Sequence, residues 1–443
     1  GNRDVGIIAD LYDDYSFKET DEETGEMKPN PEYLKSNNAK SFLNFGITPD
    51  ESTEDGVDGQ WYEQEIDGKT ARRIIYTPFA THGTSIFASE SCTDAVEFMT
   101  TVFDMPTDLS NDSHIYPLKT VGTLMGFVGF FIFVTYMALL LAQYEPFSAA
   151  GSTENAVMRQ ASTHPAGKKW LWGCLIANTI FPMISAMVLF YFKLDKVVNG
   201  IFMQSMPLFY GVWGAINAVF VILTTVIWYQ CYAKKQGISL DSIDMKTSLS
   251  RLGNTIATAL IVTGLAFVLL FFVHFAFQTD FRIWYWAIRP FNARRLAEAL
   301  KYLPFFIVAY VTASVFINCL NYNTSFGKTP RRNIWFLAIL NILPPFILAA
   351  LGYAYFFITG VNGFYGANNQ ISDWMLTPLV PMFVTPFVTR AIYKKTKNPY
   401  LGGIINAVVG YDYDLCKCAD CISDIEMFDT KENIHYVMSV AVL

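Results

Sequence analysis

Positive charge is in short supply along this chain of 443 residues, in which 32 lysines and arginines stand against 39 aspartates and glutamates for a formal net charge of −7. No basic face forms anywhere along it, which argues against nucleic acid as a partner. Cysteine is scarce as well, at seven. Cys92, Cys174, Cys231 and Cys319 stand singly, and three of them fall in or beside apolar runs, where a thiol behaves as a small hydrophobe. Cys416, Cys418 and Cys421 share C-x-C-x-x-C spacing, but a structural zinc takes four ligands and the next donor, His435, is far along the tail. Metal binding there competes with a tail carrying free thiols, and no metal or cofactor is expected. An initiating Met is also absent: Gly1 leads almost directly into a strand pattern, so a preceding portion, with any signal segment or first anchor, is expected upstream.

What is present divides near Leu118. Before it the chain is acidic and polar; from about Val121 it is dominated by long runs of Phe, Leu, Ile and Val. Residues 1–118 are therefore read as one domain, 119–410 as a membrane-spanning helical domain, and 411–443 as a tail of uncertain structure.

In the first domain, Arg3 to Asp10 has an apolar centre between polar ends and reads as a short buried strand. Asp13 and Asp14 follow in Leu11-Tyr12-Asp13-Asp14-Tyr15, at the strand edge where open α/β sheets place their chemistry, although such a pair also caps helices or solvates turns. Lys18 to Asp58 is charged and rich in Pro and Gly, and reads as a long surface excursion with one helical segment, Asn38 to Phe45. Two strand-like runs, Gln60 to Ile66 and Thr70 to Thr77, are joined by Asp67-Gly68, a strong hairpin signal. The second run delivers Thr81-His82-Gly83, and an amphipathic helix follows from Thr93, its N-cap, to Phe103. A histidine on a loop between a strand and a helix is how folds present a general base; the competing reading is a surface histidine in a turn.

The order strand–acid, strand–histidine, helix resembles the C-terminal part of an α/β-hydrolase domain, of the dienelactone-hydrolase or lipase-like kind, in a bacterial subfamily with a multi-helix membrane domain behind the hydrolase. The resemblance rests on Val5 to Tyr15, on Thr81-His82-Gly83, and on Tyr393 to Ala407, which is similar to the loop and last-span start of that family. It implies an incomplete α/β-hydrolase portion followed by an all-α polytopic transmembrane domain. It also implies His82 as general base, Asp13 or else Asp14 as its orienting acid, and a small or lipid-like acyl substrate such as an ester. Two departures matter. The Gly that usually precedes the acid is replaced near its place by Asp10, and no G-x-S-x-G occurs, so the nucleophile is expected upstream of Gly1.

Runs long enough to cross a bilayer lie at about residues 120–142, 169–192, 207–232, 254–277, 303–320, 334–358 and 373–392, and Leu401 to Val409 begins what reads as an eighth. Phe281 to Lys301 mixes aromatics with arginines, as a segment lying in the interface does. Arg159, Lys168, Lys234, Arg251, Lys328, Arg331 and Lys394 fall on the side reached after the first span, and the positive-inside rule makes that side cytoplasmic and residues 1–118 extracytoplasmic. Ionisable groups are almost missing from the span centres, where His274 is near an end and Asn178, Asn217, Asn318 and Asn341 are neutral. That scarcity weighs against a transporter of ions. Pro344-Pro345, Pro378, Pro381 and Pro386 open helices to kinks or a cavity.

Two functions follow. One is a membrane-anchored serine hydrolase of which this chain holds the acid and histidine. The other is a polytopic transporter or sensor with a non-catalytic external domain.

Overall fold

The computed structural model describes residues 2–410 apart from 14–15, 21–26, 107, 162, 195–196, 198, 284–285, 291–292 and 361–370. The chain forms two compact units, one built on Gly1–Lys119 with Leu351–Asp373, the other on Thr120–Ala350 with residues from Trp374.

The first unit contains, in chain order, strands β1 (Val5–Ile8), β2 (Lys18–Thr20) and β3 (Met27–Pro29), helix α1 (Asn37–Leu43), strands β4 (Tyr62–Ile66) and β5 (Lys69–Tyr76), and helix α2 (Ser89–Val102). β5 is the centre of a three-stranded sheet of order β1-β5-β4. β4 and β5 pair as the expected hairpin: Asp67 and Gly68 both take positive φ, 52° and 72°, which closes a two-residue turn matching the strands' twist. β1 runs parallel to β5 from Val5↔Arg73 to Ile8↔Tyr76. Asp4 secures that pairing, accepting from the backbone N–H of Arg72 at 2.9 Å and from its guanidinium Nη2 at 2.9 Å. Ile74 and Ile75 are fully buried in β5, each contributing roughly 1.5–3 kcal/mol relative to exposure.

Two local expectations are corrected here. The stretch 18–58 is not only a surface excursion, because α1, capped by Ser36 Oγ accepting from the Ala39 N–H at 3.2 Å, packs Ala39 and Leu43 into one core with Ala9 and Ile75. α2 starts at Ser89 rather than Thr93; Thr93 Oγ1 donates back to the Ser89 carbonyl at 2.9 Å, an interior helical bond and not a cap.

Further along come α3 (Tyr116–Leu141), α4 (Pro165–Tyr191), α5 (Ser205–Trp228), α6 (Leu249–Phe277), a hairpin of β6 (Phe281–Ile283) and β7 (Trp286–Ile288), then α7 (Ala293–Val315), α8 (Pro330–Thr359), α9 (Ile371–Leu376), α10 (Leu379–Thr396) and the short α11 (Pro399–Gly410). Seven helices among the described residues are long and apolar enough to cross a membrane, at positions agreeing with the seven expected runs, and they fit a multi-pass membrane protein. Leu260, Val268, Phe271 and Phe275 on α6 are all more than half exposed, an apolar face that water would penalise and lipid accepts. The segment expected in the interface is the β6–β7 hairpin, with Arg289 Nε 2.8 Å from Asp280 Oδ2, followed by the start of α7. The expected eighth span is α11, too short to cross, whose Leu401, Ile405 and Val409 pack with Phe130, Val262 and Ile392 in an apolar core of the second unit.

One arginine escaped the sequence reading. Arg390 on α10 is 3 % exposed and donates to the Ile317 carbonyl at 2.7 Å, to Asn318 Oδ1 at 2.8 Å and to Asn333 Oδ1 at 2.7 Å, with its guanidinium 4.3 Å from the centre of the Tyr322 ring. Its partners lie on and beyond a π turn, Phe316–Leu320, that ends α7. Arg159 donates to the Asn318 and Cys319 carbonyls of the same turn. Both cations thus satisfy C-terminal carbonyls at the negative end of a helix dipole. Arg251 does the same for α10, donating to the Thr396 and Lys397 carbonyls at 3.1 and 3.0 Å.

Candidate acid–histidine site

β1 and β5 lie side by side, and the chains leaving them stay so. Ala9 donates to the Tyr76 carbonyl at 2.8 Å, Leu11 to Pro78 at 3.0 Å and Tyr12 to Ala80 at 3.1 Å, so the two chains stay hydrogen-bonded past the strand ends. Three residues beyond Asp10 and two beyond Ala80 this track brings Asp13 and His82 together. Each is then held by its own turn. Asp13 donates from its backbone to the Asp10 carbonyl at 3.0 Å, and the Ser85 backbone N–H returns to the Thr81 carbonyl at 3.0 Å around His82. Thr84 Oγ1 accepts from the Thr81 N–H at 3.0 Å and tightens that second turn.

The side chains meet at the edge so formed. His82 Nδ1 is 3.2 Å from Asp13 Oδ2, while Asp13 Oδ1 accepts from the Ser16 backbone N–H at 2.5 Å. The carboxylate is 3 % exposed and the imidazole 35 %. A buried acid with one oxygen fixed by the backbone and the other on Nδ1 orients the ring and favours the tautomer whose basic lone pair is on Nε2. Asp14, the alternative acid, lies outside the described residues.

A second carboxyl belongs to the cluster. Asp10 is 4 % exposed and accepts from Ser85 Oγ at 3.0 Å. Burial raises its pKa to about 6; the Ser85 bond opposes the rise, the neighbouring Asp13 charge adds to it and His82 opposes it. Asp10 and Ser85 were not identified from the sequence as members of this site. Asp10 was visible only as the residue standing near the expected Gly, and Ser85 carried no signal, because its partner is 75 positions away. Ser85 is itself 3 % exposed with its hydroxyl committed to Asp10, which is unlike an attacking nucleophile.

Behind the loop, Glu90 on α2 accepts from the Phe79 N–H at 2.9 Å and Asp58 from the Thr77 N–H at 2.7 Å. Asp94, one turn on, has its pKa raised to about 7, first by burial and then by Glu90, Asp58 and Glu97. α2 therefore holds the chain entering the histidine loop through Glu90, and Phe98 reaches back to β1, where a side chain at Gly6 would stand 2.8 Å from its ring.

Among the described residues, no group of three or more His, Cys, Asp and Glu side chains gathers as metal ligands. Cys416, Cys418, Cys421 and His435 lie outside the described residues. No protein-family model matches the chain, and neither a curated protein nor a solved structure matches it.

Proposed function

We propose that Asp13 and His82 are the orienting acid and general base of a serine-hydrolase site of the α/β-hydrolase kind, carried by a membrane-anchored protein and acting on an ester or similar acyl substrate. The observation that carries the reading is the 3.2 Å contact between His82 Nδ1 and Asp13 Oδ2 at the ends of two parallel neighbouring strands. Acid and histidine on adjacent strand ends, in that chain order, are what the triad logic requires of its last two members.

On this reading His82 Nε2 takes the proton from an attacking hydroxyl and later gives it to the leaving alcohol, while Asp13 holds the ring and stabilises the imidazolium. The reading requires an attacking hydroxyl, and no G-x-S-x-G turn occurs among these 443 residues to present one. Positive charge at the segments after the first, third, fifth and seventh spans supports a cytoplasmic assignment of that side and an extracytoplasmic one for residues 1–118.

The test is fluorophosphonate labelling and ester turnover of the complete membrane protein. A serine is expected to take the label, His82→Ala to lower kcat by about 10³ or more, and Asp13→Asn by a comparable factor with KM little changed. No label on the complete protein, or unchanged turnover in His82→Ala, would remove this site from catalysis.

A further inference from the structure

The second unit holds a partly open cavity of about 200 Å³ among α4, α5, α7, α8, α10 and α11. Its lining contains no Asp, Glu, Lys, Arg or His, although the second unit has such residues at its helix ends. A charged guest would be desolvated there with no counter-charge.

The polar groups that do line it are amides and hydroxyls. Asn217 accepts from Ser185 Oγ through Oδ1 at 2.9 Å, Asn341 donates through Nδ2 to the Met382 carbonyl at 2.6 Å, and Asn406 donates to the Thr385 carbonyl at 3.0 Å. Each bond uses one end of an amide. Among the described residues nothing else bonds to these three side chains, so the cavity is offered N–H donors by Asn217 and carbonyl acceptors by Asn341 and Asn406. The prolines in its wall explain the arrangement. Pro386 cannot donate to the Met382 carbonyl four residues before it, and Asn341 supplies the missing donor. Pro182 likewise leaves the Asn178 carbonyl without its helical donor.

We propose that this cavity is a binding site for an uncharged amphiphile, a molecule of about ten non-hydrogen atoms whose head both donates and accepts a hydrogen bond, as an alcohol or primary amide does. The size follows from the volume, somewhat larger than a cavity of about 150 Å³ that takes benzene and below that of drug-sized sites. Neutrality follows from the lining. The site is independent of the acid–histidine pair, and its success or failure leaves that reading untouched.

The probe is a diazirine-bearing octanol, photoactivated on the intact chain in nanodiscs, with crosslinks located by mass spectrometry. Crosslinks are expected on lining residues such as Met382 and Val221, reduced at least tenfold by excess 1-octanol and unaffected by octylammonium at the same concentration. Asn217→Leu, which keeps the Asn341–Met382 bond and leaves Ser185 Oγ the Pro182 carbonyl at 3.2 Å as its acceptor, is expected to lower cavity labelling at least fivefold with little change in melting temperature. Ala313→Phe, which fills the space, is expected to abolish it. Crosslinks confined to lipid-facing positions such as Leu260 and Phe271 would overturn the proposal, as would equal competition by octanol and octylammonium. The competition arm needs no variant, so it decides the question even where a substitution impairs folding.

Discussion

At the scale of single residues, Asp10 makes the sharpest prediction. Its folded-state pKa is raised to about 6, so the folded protein holds that proton more tightly than the unfolded chain. The associated stability is present at low pH and is lost as the pH rises from about 4 through 6. Asp10→Asn keeps an acceptor for Ser85 and removes the cost of burying a charge. The variant is expected to be more stable than the parent by about 1–3 kcal/mol at pH 7.5 and indistinguishable from it at pH 4. Paired thermal melts at the two pH values measure this, and a constant difference would show that Asp10 is not the titrating group. Gly6 makes a second. A Cβ there would stand 2.8 Å from Phe98 Cδ2, and Phe98 is stacked on Trp61 with 5.7 Å between centroids, so the ring has little room to yield. Gly6→Ala is expected to cost about 1–3 kcal/mol, and Phe98→Leu in the same chain to recover part of it. Chemical denaturation of the two variants separates a packing clash from a backbone effect, which Phe98→Leu would not relieve.

At the scale of elements, the turns were easier to read than the helix ends. Asp67-Gly68 announced its hairpin because a two-residue turn with positive φ is a local demand that few residues meet. The start of α2 was misplaced by four residues: Thr93 is a good cap by residue type, but Glu90 and the packing of Phe98 extend the helix back to Ser89. The termini of α7 and α10 depend on arginines brought from far along the chain. Arg390 holds three partners in a plane, a geometry that lysine lacks. Arg390→Met would strand Asn318, Asn333 and the Ile317 carbonyl, at about 1–3 kcal/mol for each group left unsatisfied. Both Arg390→Met and Arg390→Lys are therefore expected to lower the melting temperature in detergent, with Met the worse. Tolerance of Met at parental stability would show that water replaces the guanidinium.

At the scale of the whole molecule, the seventh span is the most enclosed, with 56 % of its apolar window buried against 22–39 % for the others, so it is the inner helix of the set and not a peripheral anchor. That placement explains why the polar positions Thr385, Thr389 and Arg390 all fall on it. The proposed orientation carries its own test. Protease added to sealed cells or right-side-out vesicles is expected to cut within residues 1–118 and to spare the segment between α3 and α4 until the membrane is opened. The opposite order of cleavage would reverse the topology.

The sequence by itself determined the division into a polar first part and a membrane part, the seven spans, the β4–β5 hairpin and the nomination of His82. Each of these is a local property: a hydrophobic length set by bilayer thickness, a turn set by backbone sterics, a strand ending in a histidine. Tertiary structure alone decided that β1 pairs in parallel with β5 across more than sixty residues and so brings Asp13, rather than a mere nearby acid, onto His82 Nδ1. It also decided that Asp10 is buried beside them, that Arg390 closes α7, and that neutral asparagines on separate helices face one cavity. Those partners are far apart in the chain, and only packing brings them within hydrogen-bond range, where burial strengthens each interaction and makes an unmet polar group costly.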